Sequence, residues 1–325
     1  MSRPSEDDLI ARYFAPLAGP GGFGLKDDAA LMRPPPGRDV VLTVDALVAG
    51  VHFFPDDPPA SIARKALRVN LSDLAAKGAR PEGFLLVLAL PADWREDWLD
   101  AFARALGEDG AAFFCPLLGG DTVSTPGPLT VSITALGSVA QGRMVARTGA
   151  RAGDLIYVSG TIGDAALGLA LRSGAGDDLP ADARGFLADR YLHPQPRLAL
   201  AGALAAHASG AMDVSDGLVG DLSKMMRASG VRARVDSAAT PLSPAARAMI
   251  GADPRRRALA LTGGDDYEIL AAVPPDAAGA FERAALAAGV PVARIGVVEE
   301  GPPQAVFIDA DGRVETFERE SFSHF

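Results

Sequence analysis

The longest strongly apolar run in this chain is short, from Phe84 to Leu90. A bilayer span takes about 20 such residues, so this run cannot cross one and instead suits a strand. Segments of similar size recur. Val40 to Val44, Leu129 to Val139, Leu155 to Ser159, Arg232 to Val235, Glu268 to Val273, Val292 to Val297 and Ala305 to Ile308 all read as strands. Between them apolar residues return at helical spacing. Ser61 to Lys77 turns Ile62, Ala66, Val69 and Leu74 inward, and Trp94 to Gly107, Leu198 to Ala208 and Pro275 to Ala288 follow the same period. Phe84 to Leu90 is apolar at every position, which predicts a strand buried on both faces. The alternation is not a regular βαβ repeat, so the expected class is α+β, with mixed sheets in both halves. The 325 residues suit two domains. The chain turns polar and Gly-rich between Thr148 and Asp154, which sets the expected boundary: 1–148 and 149–325.

The formal net charge is −10, and a protein that binds a nucleic-acid backbone directly needs a basic face. That class is excluded. One cysteine, Cys115, rules out a disulfide framework within the chain and a Cys-rich zinc site, and its apolar surroundings predict a buried, inert thiol. The segment Met1 to Asp8 has no basic stretch followed by an apolar one, so no signal peptide is expected, and the location is read as cytoplasmic. Ser5 caps an opening helix whose apolar stripe is Leu9, Ile10, Tyr13, Phe14 and Leu17.

The acidic excess is lopsided, with 30 Asp against 11 Glu. Asp28, Asp45, Asp121, Asp213 and Asp216 fall at strand ends or Gly-rich turns, and Asp73 lies on the helix after the first strand. A single Asp at a turn is ordinarily a cap. Converging carboxylates without matching basic residues repel one another, and cations relieve that. Oxygen donors without a Cys or His cluster select hard ions, Mg²⁺ first. Gly119-Gly120 before Asp121 lets backbone N–H groups approach an anion, and Gly160 and Gly163 on a strand-to-helix turn offer the same. There is no P-loop and no Gly-rich loop paired with H-R-D.

The motifs in order are more specific than any one of them. They are Asp27-Asp28-Ala29-Ala30-Leu31, Thr43-Val44-Asp45-Ala46 continuing to His52-Phe53, and Asn70-Leu71-Ser72-Asp73-Leu74-Ala75-Ala76. Then come Gly119-Gly120-Asp121-Thr122, Arg147-Thr148-Gly149-Ala150, Asp213-Val214-Ser215-Asp216-Gly217-Leu218, Gly263-Gly264-Asp265-Asp266-Tyr267-Glu268, and an aromatic end around Phe322 and Phe325. The series resembles the thiamine-monophosphate kinase family, in the superfamily of aminoimidazole-ribonucleotide synthetase and selenophosphate synthetase. The resemblance implies a two-domain synthetase-type fold. Its N-terminal ATP- and Mg²⁺-binding domain pairs its sheet with that of a second subunit, giving a homodimer, and a C-terminal α+β domain follows. It implies that ATP and thiamine monophosphate are converted to ADP and thiamine diphosphate by in-line transfer with several Mg²⁺ ions. No covalent nucleophile and no membrane partner are implied.

By match to the family motifs, Asp28, Thr43, Val44, Asp45, Asp73, Asp121, Asp213 and Asp216 are the implied metal positions, Val44 only through its carbonyl. Gly120, Asp121, Arg147 and Ser215 are the implied nucleotide contacts. His52, Asp265 and Phe322 are the implied thiamine-phosphate contacts. Three positions depart from the family pattern: Lys26 replaces Gly, Val44 replaces Thr, and Asp265 replaces Glu. A related ATP-using synthetase and a non-catalytic Mg²⁺- or nucleotide-binding protein are the alternatives.

Overall fold

The computed structural model describes residues 5–322; Phe325 lies outside the described residues. The chain divides into two compact units, one of residues 1–74 and 80–142, the other of 75–79 and 143–325.

The first unit carries α1 (Glu6–Leu9), α2 (Pro59–Ala76) and α3 (Glu96–Ala112). Its strands are β1 (Arg38–Val48), β2 (Arg80–Pro91), β3 (Leu117–Thr125) and β4 (Thr130–Ala140). They form one sheet in the order β1-β4-β2-β3. The pairs β1–β4 and β2–β4 are antiparallel, and β2–β3 is parallel. Ser5 caps α1 as the sequence predicts: its Oγ accepts from the Asp8 N–H at 3.2 Å. The helix does not continue regularly. Ile10–Phe14 widens to a π turn and Ala15–Leu17 tightens to a 3₁₀ turn, where Pro16 has no N–H to give.

The expectation that β2 is buried on both faces is corrected. Phe84, Leu86, Leu88 and Leu90 are buried, whereas Leu85 and Val87 are 37% and 43% exposed. One face of the sheet meets helices; the other carries Leu42, Val44, Leu85, Val87 and Val123 in the open. Period-two alternation separates the two faces, and in β2 both are apolar. A run of apolar residues therefore does not show that the chain covers both sides.

The second unit has seven strands: β5 (Leu155–Ser159), β6 (Gly210–Val214), β7 (Arg232–Asp236), β8 (Glu268–Val273), β9 (Val292–Glu299), β10 (Ala305–Ile308) and β11 (Val314–Glu315). Their order is β11-β10-β7-β9-β5-β8-β6, antiparallel except for β7–β10. Its helices are α4 (Asp164–Leu171), α5 (Ala181–Leu192), α6 (Ala201–His207), α7 (Leu218–Ser229), α8 (Pro244–Ala252), α9 (Arg256–Thr262) and α10 (Ala278–Ala287). Here the central strands do have two buried faces. Ile156, Val158, Met212 and Leu270 pack with Leu218, Leu222 and Met226 of α7. The alternate residues Tyr157, Ala211, Ile269 and Ala271 pack with Phe281 of α10 and Leu204 of α6. Each fully buried large apolar side chain contributes about 1.5–3 kcal/mol. Cys115 is buried, and burial pushes its thiol up to about 12, as expected of an inert cysteine. No described helix is long and apolar enough to cross a membrane.

Candidate functional site

In the first unit, β1 presents Thr43 and Asp45 on the helix-covered face, in register with buried Ala135 and Ile133. The Thr43 hydroxyl donates to the Asp73 carboxylate of α2, which ties two of the matched motifs together. Val44 lies between them with its side chain 61% exposed on the opposite face. Any contact it makes beside Thr43 and Asp45 is through the backbone. His52 is half-buried, and its Nδ1 accepts the Val48 N–H at 3.0 Å. That bond requires a deprotonated Nδ1 and leaves the proton of the neutral ring on Nε2.

A cavity of about 610 Å³ opens in the same unit. Asp27, Asp28, Gly120 and Asp121 give it a polar rim, and Phe14, Met32 and Leu118 are among its apolar walls. Asp28 and Asp121 are exposed. Gly120 is required by contact: a Cβ there would stand 1.8 Å from the Leu86 carbonyl oxygen. The β2–β3 register pairs Asp121 with Val87, so Asp121 lies on the open face while Thr43 and Asp45 lie on the covered one.

In the second unit, buried Asp213 sits near the end of β6 opposite Ile269, and the chain then turns through Ser215-Asp216-Gly217 into α7. The Asp216 carboxylate accepts from Lys224 Nζ at 2.5 Å. Burial works against the Lys224 charge, yet the bonds to Asp216 and Asp221 raise its pKa. Asp265 and Tyr267 have positive φ, 75° and 51°. Non-glycine residues there store strain of order 1–3 kcal/mol each, which is common beside binding sites. Asp265 N–H donates to the Ser215 carbonyl at 2.8 Å, and Phe322 N–H to the Asp216 carbonyl at 3.0 Å. Arg147 is exposed in a 3₁₀ turn and forms no ion pair with a described carboxylate.

Two observations bear on the candidate sites. Among the described residues no group of three or more His, Cys, Asp or Glu side chains is arranged to hold a metal ion. The candidate carboxylates occur singly or in pairs. The Gly160–Gly163 turn is also not open to an anion. Asp266 already occupies the start of α4, accepting the Gly163 N–H at 2.7 Å and the Ala165 N–H at 3.3 Å. Burial holds its carboxyl well above the usual range. Sequence reasoning assigned no role to four buried acids, Asp164, Asp221, Asp266 and Glu268, although it quoted the last two inside a motif. A signal for one of them existed. Lys224 is one of only four lysines and follows an Asp-rich motif.

The AIR synthase related protein family matches this chain twice, its N-terminal domain over residues 26–139 and its C-terminal domain over 151–309. The thiamine-monophosphate kinase of Caulobacter vibrioides is 49% identical over 92% of this chain and 85% of its own. The thiamine-monophosphate kinase of Escherichia coli K12 is 40% identical over 98% of both. The chain belongs to the thiamine-monophosphate kinase family.

Solved structures of the family agree. Thiamine-monophosphate kinase from Stenotrophomonas maltophilia superposes with a TM-score of 0.80 at 40% identity, covering 90% of this chain and 91% of that one. AaThiL complexed with AMPPCP and TMP gives 0.79 at 30% identity, covering 94% and 97%. Within a thiamine-monophosphate kinase fold, the Lys26 departure falls in an exposed loop beside the cavity-lining Asp27 and Asp28. The Val44 departure is a side chain on the open sheet face.

Proposed function

We propose that this chain transfers the terminal phosphoryl group of ATP to the phosphate of thiamine monophosphate, releasing ADP and thiamine diphosphate. The observation that carries this reading is the end-to-end similarity to thiamine-monophosphate kinases, 40% identical over 98% of both chains in one case. The acceptor is a phosphate oxygen, already largely deprotonated near neutral pH, so the chain needs no strong general base. Its task is to position two polyanions and offset their charge. Arg147 supplies a guanidinium for phosphate, and Gly120 with Asp121 and Ser215 supplies the remaining nucleotide contacts. His52, Asp265 and Phe322 take the thiamine phosphate, with Phe322 offering a ring face to its cationic heterocycle.

The donor set fits a hard divalent cation, because it consists of oxygens alone. Asp28, Asp45, Asp73, Asp121, Asp213 and Asp216, the Thr43 hydroxyl and the Val44 carbonyl would hold Mg²⁺. When bound, it would neutralise phosphate charge and align donor with acceptor. Asp73 accepts the Thr43 proton and so turns a lone pair of that hydroxyl outward. Asp216 shares its charge with Lys224.

The domain assignment follows from the same reading: residues 1–148 serve nucleotide binding, Mg²⁺ binding and dimerisation, and 149–325 form the second domain. The open apolar sheet face, with Leu42 at 63% exposure, is the surface through which two copies pair. The enzyme is placed in the cytoplasm. A coupled assay for ADP with thiamine monophosphate present or omitted tests the reading. Substrate-dependent ADP release is expected; intact nucleotide binding without such release would refute it.

A further inference from the structure

Three successive backbone carbonyls, from the last residue of β6 onward, each accept one hydrogen bond from a distant segment. Val214 accepts from Tyr267 N–H at 2.8 Å, Ser215 from Asp265 N–H at 2.8 Å, and Asp216 from Phe322 N–H at 3.0 Å. The N–H groups of Ser215 and Asp216 point the other way, and both donate to one atom, Asp221 Oδ2, at 2.9 and 2.8 Å. The second Asp221 oxygen accepts from Lys224 Nζ at 2.9 Å. Asp221 is 0% exposed, so in the folded chain its carboxylate and not solvent satisfies these donors. The C-terminal segment is seated closely here as well: a Cβ on Gly220 would stand 2.3 Å from Ser321 Cβ.

We propose that Asp221 is a positioning residue that fixes the Val214–Asp216 backbone, and that this backbone couples the two substrate sites to each other. The proposal rests on the kinase reading above, in which Ser215 contacts the nucleotide, Asp216 would hold Mg²⁺, and Asp265 and Phe322 take the thiamine phosphate. Hydrogen bonds weaken steeply as their geometry departs from the optimum. A segment released by Asp221 therefore loosens its bonds to Asp265, Tyr267 and Phe322 together. Tyr267 and Asp265 hold strained backbone angles, so they depend on those bonds to stay in place. The coupling is reciprocal: ordering either side orders the other.

The test is Asp221→Ala, read by amide hydrogen exchange, by binding of a nonhydrolysable ATP analogue with Mg²⁺, and by KM for each substrate. Exchange is expected to quicken at 215–216, 265, 267 and 322 while the core of β8 keeps its protection. Both KM values rise by at least about tenfold. Asp221→Asn keeps an oxygen for both N–H groups and restores both KM values to within about threefold of wild type. A merely structural role would lower stability and leave the KM values of the folded enzyme alone.

Should Asp221→Ala fail to fold, Phe322→Pro decides. Proline has no N–H for the Asp216 carbonyl, whereas Phe322→Ala keeps it. Without thiamine phosphate present, proline weakens the ATP analogue at least about threefold more than alanine does. Equal nucleotide affinity in those two variants, or an Asp221→Ala enzyme in which only one substrate is affected, overturns the proposal. If the wild type releases no ADP with thiamine monophosphate, the kinase reading fails. The exchange and analogue-binding results still decide whether Asp221 anchors the segment.

Discussion

Asp28 and Asp121 of the first unit are exposed beside a cavity, Asp45 is half-buried, and the half-buried Asp73 accepts from a single threonine hydroxyl. In the second unit Asp164, Asp221 and Glu268 are 0% exposed and Asp266 is 3% exposed, each accepting hydrogen bonds from the chain itself. Glu268 alone receives Arg190 at 2.8 Å, Arg197 at 2.7 Å and the Ser159 hydroxyl at 2.6 Å. The same functional group thus serves two ends. Where burial is complete, the protein must satisfy a carboxylate itself, and the acid becomes scaffold. Where water reaches the carboxylate, its lone pairs stay open to an outside cation.

That contrast can be broken at its strongest point first. Glu268→Ala leaves two partly buried guanidinium groups without their shared, fully buried partner, at a cost of about 3 kcal/mol in denaturant unfolding. A cost under about 1 kcal/mol would show that Glu268 is not scaffold. Next, Asp45→Asn is expected to lower kcat/KM about 10²–10³-fold at every Mg²⁺ concentration while leaving Tm in place. Activity within a few-fold of wild type would remove Asp45 from the metal set. On the open face, Leu42→Asp places a charge in the proposed pairing surface. It should raise the dimer dissociation constant at least about tenfold by sedimentation. A wild-type chain that is already monomeric at micromolar concentration would sink that idea.

The smallest effect sharpens the comparison through pH. Burial holds the Asp266 carboxyl well above 3.8, so above 3.8 the folded chain keeps a proton that the unfolded chain has lost. Stability from that proton is complete below 3.8 and is lost as pH rises toward the folded-state value. Asp266→Asn is neutral throughout and lacks this slope. The stability of wild type relative to the variant should therefore fall with rising pH, by at most about 1.4 kcal/mol per unit. Urea titrations across the acid range measure it, and an opposite slope would mean the buried acid is charged.

Much of the fold was legible because local pattern and burial coincide. Leu155–Ser159, Glu268–Val273 and Ala305–Ile308 are strands over the ranges their apolar runs predict. Leu117–Thr125 was not legible: its Gly119-Gly120 reads as a turn, and the strand exists because β2 supplies a parallel partner. Leu198 to Ala208 begins as a 3₁₀ turn, Leu198–Leu200, before α6. In the candidate site, the matched motifs named Ser215, Asp216, Asp265 and Phe322 but not the bonds that join them. Those bonds run between backbone groups, and backbone groups leave no trace in side-chain identity. Asp221 could be read only as one more helix carboxylate, since its role depends on complete burial.

The sheet of the first unit also has a history on the ribosome. Strand β1, which carries Thr43 and Asp45, is an edge strand whose one neighbour in the sheet, among the described residues, is β4. That partner emerges about 80 residues after β1, which at about 5–20 residues per second leaves β1 unpaired for several seconds. Strand β2 also waits for β3 and β4. A nascent chain stopped before Thr130 therefore displays apolar strand edges with nothing to pair them, and it is at this stage of synthesis that holdase chaperones would have most to bind.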